Sequence, residues 1–150
     1  MDYKILEEYD KNKTRVLKYV IYKKRSENEI RAKFQNEIDS DMFEDIIEEL
    51  KGNGYISDEQ YIERAINEYM ALKNLSLKQI RYKLQSKGIS NNLIEDYFYE
   101  NKEQLTEYEI KSAENIISKK IQLPAEEIIQ SLLKKGFEYD NVKAALERRN

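Results

Sequence analysis

The stretch Ser76–Ser90, S-L-K-Q-I-R-Y-K-L-Q-S-K-G-I-S, holds one helix with both ends marked. Ser76 followed three residues later by Gln79 is a capping box, in which hydroxyl and side-chain amide satisfy two backbone amides that a helix start leaves orphaned. Ile80 and Leu84 stand one turn apart, and Gly88 is the residue type that ends a helix in the left-handed conformation. Shifted by 48 residues, the pattern returns as Ile128, Leu132 and Gly136.

The same offset places Ile62 on Ile110, Ala65 on Ala113, Ile89 on Phe137, Ile94 on Val142 and Phe98 on Leu146. The first third follows at slightly longer offsets. Ile30 and Phe34 match Ile80 and Leu84, and Phe43 and Ile47 match Ile94 and Phe98, while the glycine between them is replaced in the Ile38–Ser40 region. The periodicity therefore predicts an all-α protein of three tandem three-helix repeats, about nine helices, at 6–54, 55–102 and 105–150. Stacked repeats bury a continuous core, so an elongated, curved array is expected.

Further punctuation agrees. Ser26/Glu29, Ser57/Gln60 and Thr106/Glu109 have capping-box spacing, Pro124 suits a first helical turn, and Gly52 and Gly54 mark a stop. Asn53-Gly54 could instead turn a hairpin, but both flanks have helical spacing. Leu17, Val20 and Ile21 are expected on the buried face of the first helix. Tyr55, Tyr61, Tyr69 and Tyr97 are read as core or inter-repeat packing.

Composition narrows the chemistry. The 150 residues include no Cys, His or Trp, which excludes disulfides, His-dependent triads and the usual zinc sites. No run approaches the roughly 18 apolar residues of a membrane span, and Met1–Asp10 carries no apolar signal region, so a cytoplasmic location is expected. No enzyme activity and no cofactor are expected. The cluster around Asp39 and Asp41 lacks the glycine and terminal glutamate of a calcium loop. It is read as helix capping by Ser40 or Asp41. Paired carboxylates could also suggest glycoside chemistry, but nothing there marks a pocket.

The net charge of −3 conceals strong segregation. Thr14–Ser26 carries Arg15, Lys18, Lys23, Lys24 and Arg25 with no acid. Lys73–Lys87 carries Lys73, Lys78, Arg81, Lys83 and Lys87, again with none. Glu37–Glu49 is purely acidic. Arg15, Lys18, Tyr22 and Arg25 are spaced as one helical stripe. They form either a solvated face or a cationic strip facing phosphates or an acidic groove. The second segment points more strongly to a partner, because nothing nearby in sequence neutralises it. Arg81 is its leading residue, since a guanidinium binds phosphate or carboxylate bidentately.

Four ordered segments resemble the RecX family. Arg25–Phe34 (RSENEIRAKF) resembles its opening signature, and Gly54–Tyr61 (GYISDEQY) its Gly-Tyr-Leu-Asp-Asp segment. Leu77–Leu84 with Lys87–Ser90 is similar to its second-unit core, and Lys135–Asp140 (KGFEYD) to its third. The resemblance spans residues 8–150. The chain departs from it in being slightly acidic and in lacking the first glycine stop. Some relatives carry a segment before the first helix, so this is either a short member or a trimmed one. The resemblance implies a monomeric modulator of the RecA recombinase, acting in recombination, DNA repair and the SOS response. It would bind the RecA–single-stranded DNA filament and inhibit filament extension, strand exchange, ATPase and co-protease activity. The expected partner-binding residues are Arg15, Lys18, Tyr22, Arg25, Arg31, Lys73, Lys78, Arg81, Lys83 and Lys87. Weak direct DNA binding by helix-turn-helix-like units is the alternative. Against it, Lys78, Arg81 and Lys83 correspond to Glu126, Ile129 and Ser131 one repeat later. A passive helical scaffold is the third reading.

Overall fold

The computed structural model describes residues 2–149. Among them are nine α-helices and no strand: α1 (Tyr3–Tyr22), α2 (Glu27–Phe34), α3 (Ser40–Gly52), α4 (Asp58–Leu72), α5 (Leu77–Ser86), α6 (Asn91–Glu100), α7 (Lys102–Lys119), α8 (Ala125–Lys134) and α9 (Tyr139–Arg149). No helix among them is long and apolar enough to cross a membrane. The chain forms two compact units, Met1–Tyr61 with Lys87–Ile89, and Ile62–Ser86 with Ser90–Asn150.

In the first unit, Val16, Val20, Ile30, Phe34, Phe43, Ile46, Ile47 and Leu50 bury one apolar stripe from each of α1, α2 and α3. Tyr19 meets Phe34 edge-on at 5.4 Å. Ile21, read as core from its spacing, is instead 64% exposed. It sits in the last turn of α1, one step round from Val20. Tyr55 is likewise exposed, whereas Tyr61 is buried. In the second unit, Ile110, Ala113, Ile116 and Ile117 of α7 pack with Ile128, Leu132, Val142 and Ala145 of α8 and α9. Each large aliphatic side chain fully removed from water stabilises by roughly 1.5–3 kcal/mol.

The short helices are secured at their ends. Ser26 and Ser76 are completely buried N-caps. In the first unit, the Ser26 hydroxyl accepts from the Glu29 amide at 3.1 Å and donates to the Lys87 carbonyl at 2.7 Å. The Glu29 carboxylate accepts from the Ser26 amide, and the Asp58 carboxylate accepts from the Glu27 amide at 2.9 Å. The second unit builds the same joint again. Ser76 accepts from the Gln79 amide at 3.1 Å and donates to the Lys135 carbonyl at 2.7 Å. There Glu109 takes the role of Asp58, accepting from the Leu77 amide at 2.6 Å.

Each joint needs a glycine. Gly88 and Gly136 have φ of 79° and 95°. A Cβ on Gly88 would overlap the Asn28 side chain, and one on Gly136 would lie 2.7 Å from Lys78 Cβ. Gly136 also closes α8 by a Schellman pattern, with the Phe137 amide on Leu132 O and the Gly136 amide on Leu133 O.

Three helix starts differ from the sequence reading. Asp39, not Ser40 or Asp41, caps α3 by accepting from the Met42 amide. Pro124 is the N-cap of α8, one residue before its first turn. Thr106 and Glu109 form no capping box. They lie inside α7, and Glu109 is buried with its carboxylate committed to other helices' amides.

Two tests follow from the joints. Ser76→Ala removes a cap and leaves the partly buried Lys135 carbonyl without its donor, so it should cost roughly 2 kcal/mol and lower Tm by roughly 4–8 °C. Gly136→Ala should lower it as well, by strain and overlap with Lys78. Thermal circular dichroism decides, and an unchanged Tm in Ser76→Ala would remove the joint from its central place.

The Asp58 carboxyl is pushed up chiefly by burial and further by the Glu27 charge, against the lowering effect of the Glu27 amide. The folded state thus binds this proton more tightly than the unfolded chain. The contribution is most favourable at low pH and is lost as pH rises from the ordinary aspartate range through the raised value. Asp58→Asn keeps the acceptor oxygen and loses the charge. It should be at least as stable as the parent at neutral pH, with a flatter pH dependence of urea midpoint. A loss equal to that of Asp58→Ala would show that the charge itself is needed.

Candidate interaction surfaces

The basic positions divide into anchored and free cations. In the first unit, Arg31 of α2 is held by Glu27 one turn earlier and by both oxygens of Glu44 on α3. These contacts raise the Arg31 pKa and lower those of both carboxyls, although burial pushes the Glu27 carboxyl the other way. Arg15 donates to Glu37 at 3.2 Å and stands over the Phe34 ring at 5.6 Å. Arg25 is not on the expected helical stripe, because α1 ends at Tyr22 and Lys23 turns to extended backbone. Its guanidinium folds over the Tyr19 ring at 4.0 Å, and its Nε is buried with no hydrogen-bond acceptor among the described residues. Lys87 is 3.6 Å from Glu29. Lys18 and Tyr22 are exposed, and Lys18 forms no ion pair among the described residues.

In the second unit, Arg81 is paired with Glu95 of α6 and stacked on Phe98 at 4.4 Å. The sequence reading that Lys73–Lys87 lacks a neutralising acid fails here, because the acids come from α2 and α6. Arg31–Glu44 and Arg81–Glu95 occupy matching places in the first two repeats of the sequence pattern. Lys83 faces Tyr69 at 5.8 Å. Lys73 has a left-handed φ of 49°, and its carbonyl accepts from the Asn115 side chain at 2.9 Å.

Lys78 and Arg81 are brought together. With Tyr82 and Gln85 they lie at i, i+3, i+4 and i+7 on α5, one helical face. Across from them stand Gly136 and Glu138, enclosing an open concavity of about 500 Å3. Tyr82 is 72% exposed. Lys78 forms no ion pair among the described residues.

Below the concavity, Glu109 accepts from the Leu77 amide, the Glu138 amide at 2.9 Å and the Asn141 side chain at 2.9 Å. One carboxylate thus satisfies backbone donors at the starts of α5 and α9, where helix dipoles favour a negative charge. The same side of α7 serves the loop before α5, with Tyr108 accepting from the Leu75 amide and Ser112 donating to the Leu75 carbonyl. Sequence reading did not single out Tyr82, Gln85 or Glu138, and gave Glu109 only a capping role. The i, i+4 relation of Lys78 and Tyr82 was a usable signal. The role of Glu109 left none, because its partners lie about 30 residues away in both directions.

Comparison with known proteins places this arrangement. No family model matches the chain. The regulatory protein RecX of Staphylococcus haemolyticus is 33% identical over 141 residues, covering 89% of this chain and 52% of that protein. RecX of Finegoldia magna is 32% identical, covering 85% and 66%. RecX of Streptococcus equi is 28% identical, covering 98% and 58%. The chain therefore spans about half to two thirds of the length of these curated relatives. The crystal structure of RecX from Lactobacillus salivarius superposes with a TM-score of 0.80 at 26% identity, covering 95% of this chain and 97% of that one. A second RecX crystal structure, at 21% identity, shares the fold with a TM-score of 0.78. Sequence likeness along nearly the whole chain and the shared helical fold lead to one assignment: the chain belongs to the RecX family of regulatory proteins.

Proposed function

We propose that this protein binds the RecA–single-stranded DNA filament and inhibits it, limiting filament extension, strand exchange, ATPase and co-protease activity. The observation that carries the reading is the likeness, along nearly the whole of this chain, to proteins named regulatory protein RecX. The three-helix groups at 6–54, 55–102 and 105–150 are part of the proposal, each offering a helix pair to successive positions along the filament. The mechanism is occupation: the protein covers filament surface that DNA or a neighbouring protomer needs.

Lys18, Lys73 and Lys78, which form no ion pair among the described residues, and Lys83, which faces only the Tyr69 ring, supply attraction without desolvating a buried pair, so affinity falls with salt. The anchored Arg15, Arg31 and Arg81 hold helix to helix while leaving part of each guanidinium accessible. Arg25 and Lys87 act beside them through the shape of the α1–α2 link and the first joint, and Tyr22 adds an exposed ring.

The test is RecA-catalysed ATP hydrolysis on single-stranded DNA with this protein titrated in. Inhibition below stoichiometric amounts is expected. Lys18→Glu and Lys83→Glu should each raise the half-inhibitory concentration roughly two- to fivefold, as for exposed charge contacts. Arg81→Glu is a poorer probe, since it also sets two acids against each other at Glu95. No inhibition by folded protein in stoichiometric excess would overturn the reading.

A further inference from the structure

The α5 concavity has chemistry beyond what the joint beneath it requires. Ser76, Gln79, Gly136 and Glu109 build the joint. The first joint, in the other unit, is built with Asn28 and Ala32 at the positions of Lys78 and Tyr82. Neither a cation nor an aromatic ring is therefore needed for joining. Lys78 and Tyr82 are additions, and each is left open to solvent.

We infer that this concavity is a base-selective site for single-stranded nucleic acid. The inference rests on the proposed action at DNA-bearing filaments and deepens it. Tyr82 offers an exposed ring face for an unstacked base, a contact that tolerates every base. Lys78, one turn before it, meets the adjoining phosphate without first breaking an ion pair. Arg81 is fixed by Glu95 and Phe98 and forms the rigid wall between them. Gln85, one turn beyond Tyr82, has an amide for the base edge or sugar.

Selectivity comes from Glu138. Its backbone amide is bound to Glu109, which sets its place in the lining of the concavity, and its exposed carboxylate accepts no hydrogen bond among the described residues. A carboxylate accepts from an exocyclic amine, such as cytosine N4, and repels carbonyl oxygen. Thymine presents only carbonyl acceptors and one ring N–H there. A volume of about 500 Å3 lies within the range of small-ligand sites. The site therefore takes a cytosine-bearing nucleotide in preference to thymine. An acidic peptide is disfavoured, because Glu138 stands opposite Lys78.

The experiment is fluorescence anisotropy of labelled oligodeoxycytidine and oligodeoxythymidine with this protein alone, without recombinase. Oligodeoxycytidine should bind more tightly. Tyr82→Ala should weaken it roughly tenfold, and Lys78→Gln should lower the slope of log affinity against log salt by about 1. Glu138→Gln keeps the backbone and should erase the preference for cytosine. All three positions are exposed, and circular dichroism checks the fold. Equal affinity for both oligomers in the parent protein, or affinity unmoved by Tyr82→Ala, overturns the site. If the variants bind DNA as the parent does yet lose inhibition of recombinase ATPase, the face contacts protein. This inference then falls, while the functional reading stands. Inhibition by the parent protein tests that reading separately.

Discussion

The buried serine hydroxyl is the interaction on which the rest depends. A helix start leaves roughly four amides unsatisfied. In α2, with eight residues, that is half of the backbone donors. Such a helix is too short to be stable by itself. Ser26 and Ser76 resolve this by working in two directions, accepting from their own helix and donating to a carbonyl beside a glycine turn far along the chain. Asp58 and Glu109 satisfy one more amide each. Because burial makes an unpaired polar group costly, these bonds fix helix position as well as helix existence.

That dual role explains what the sequence could reveal. The local half of each joint was legible, since Ser26/Glu29 and Ser76/Gln79 stand at fixed spacing and Gly88 and Gly136 punctuate the chain. The remote half was not. No rule of spacing connects Ser26 to Lys87 or Glu109 to Glu138. Thr106/Glu109 has the spacing of a cap and is none, because a motif describes what a segment can do in isolation and Glu109 is claimed by other helices. The apolar periods placed most core positions. Ile21 and Tyr55 escaped at element ends, where a period has no next turn to confirm it.

The charged residues failed in sequence for a related reason. Runs without acids looked uncompensated because compensation was sought along the chain. The structure supplies it from outside the runs, through Arg15 with Glu37 and Arg81 with Glu95. Arg15 and Arg81 also stand over the rings of Phe34 and Phe98, so they act through packing as well as charge. Lysines largely remain free. The division follows from side-chain chemistry: a planar guanidinium holds a carboxylate and stacks on Phe98 at once, whereas an ammonium on a flexible stem is easily kept hydrated.

Function is then best sought where the repeated device varies without consequence for itself. Serine, glycine and the remote carboxylate recur in both joints, so they inform about assembly and say little about partners. Lys78 and Tyr82 sit on the same frame as Asn28 and Ala32; the Lys78 stem packs on Gly136 as Asn28 does on Gly88, while its charge and the Tyr82 ring are not required by the frame. In a protein without His or Cys, such additions are candidates for binding: a cation left unpaired, a ring left uncovered and a carboxylate whose backbone is held in place. Rigidity below and free groups above are complementary requirements, because backbone fixed by Glu109 at Leu77 and Glu138 needs no further ordering when a ligand arrives. In the proposed site, the buried joint would thus serve recognition indirectly, by fixing in advance the backbone that carries the binding groups.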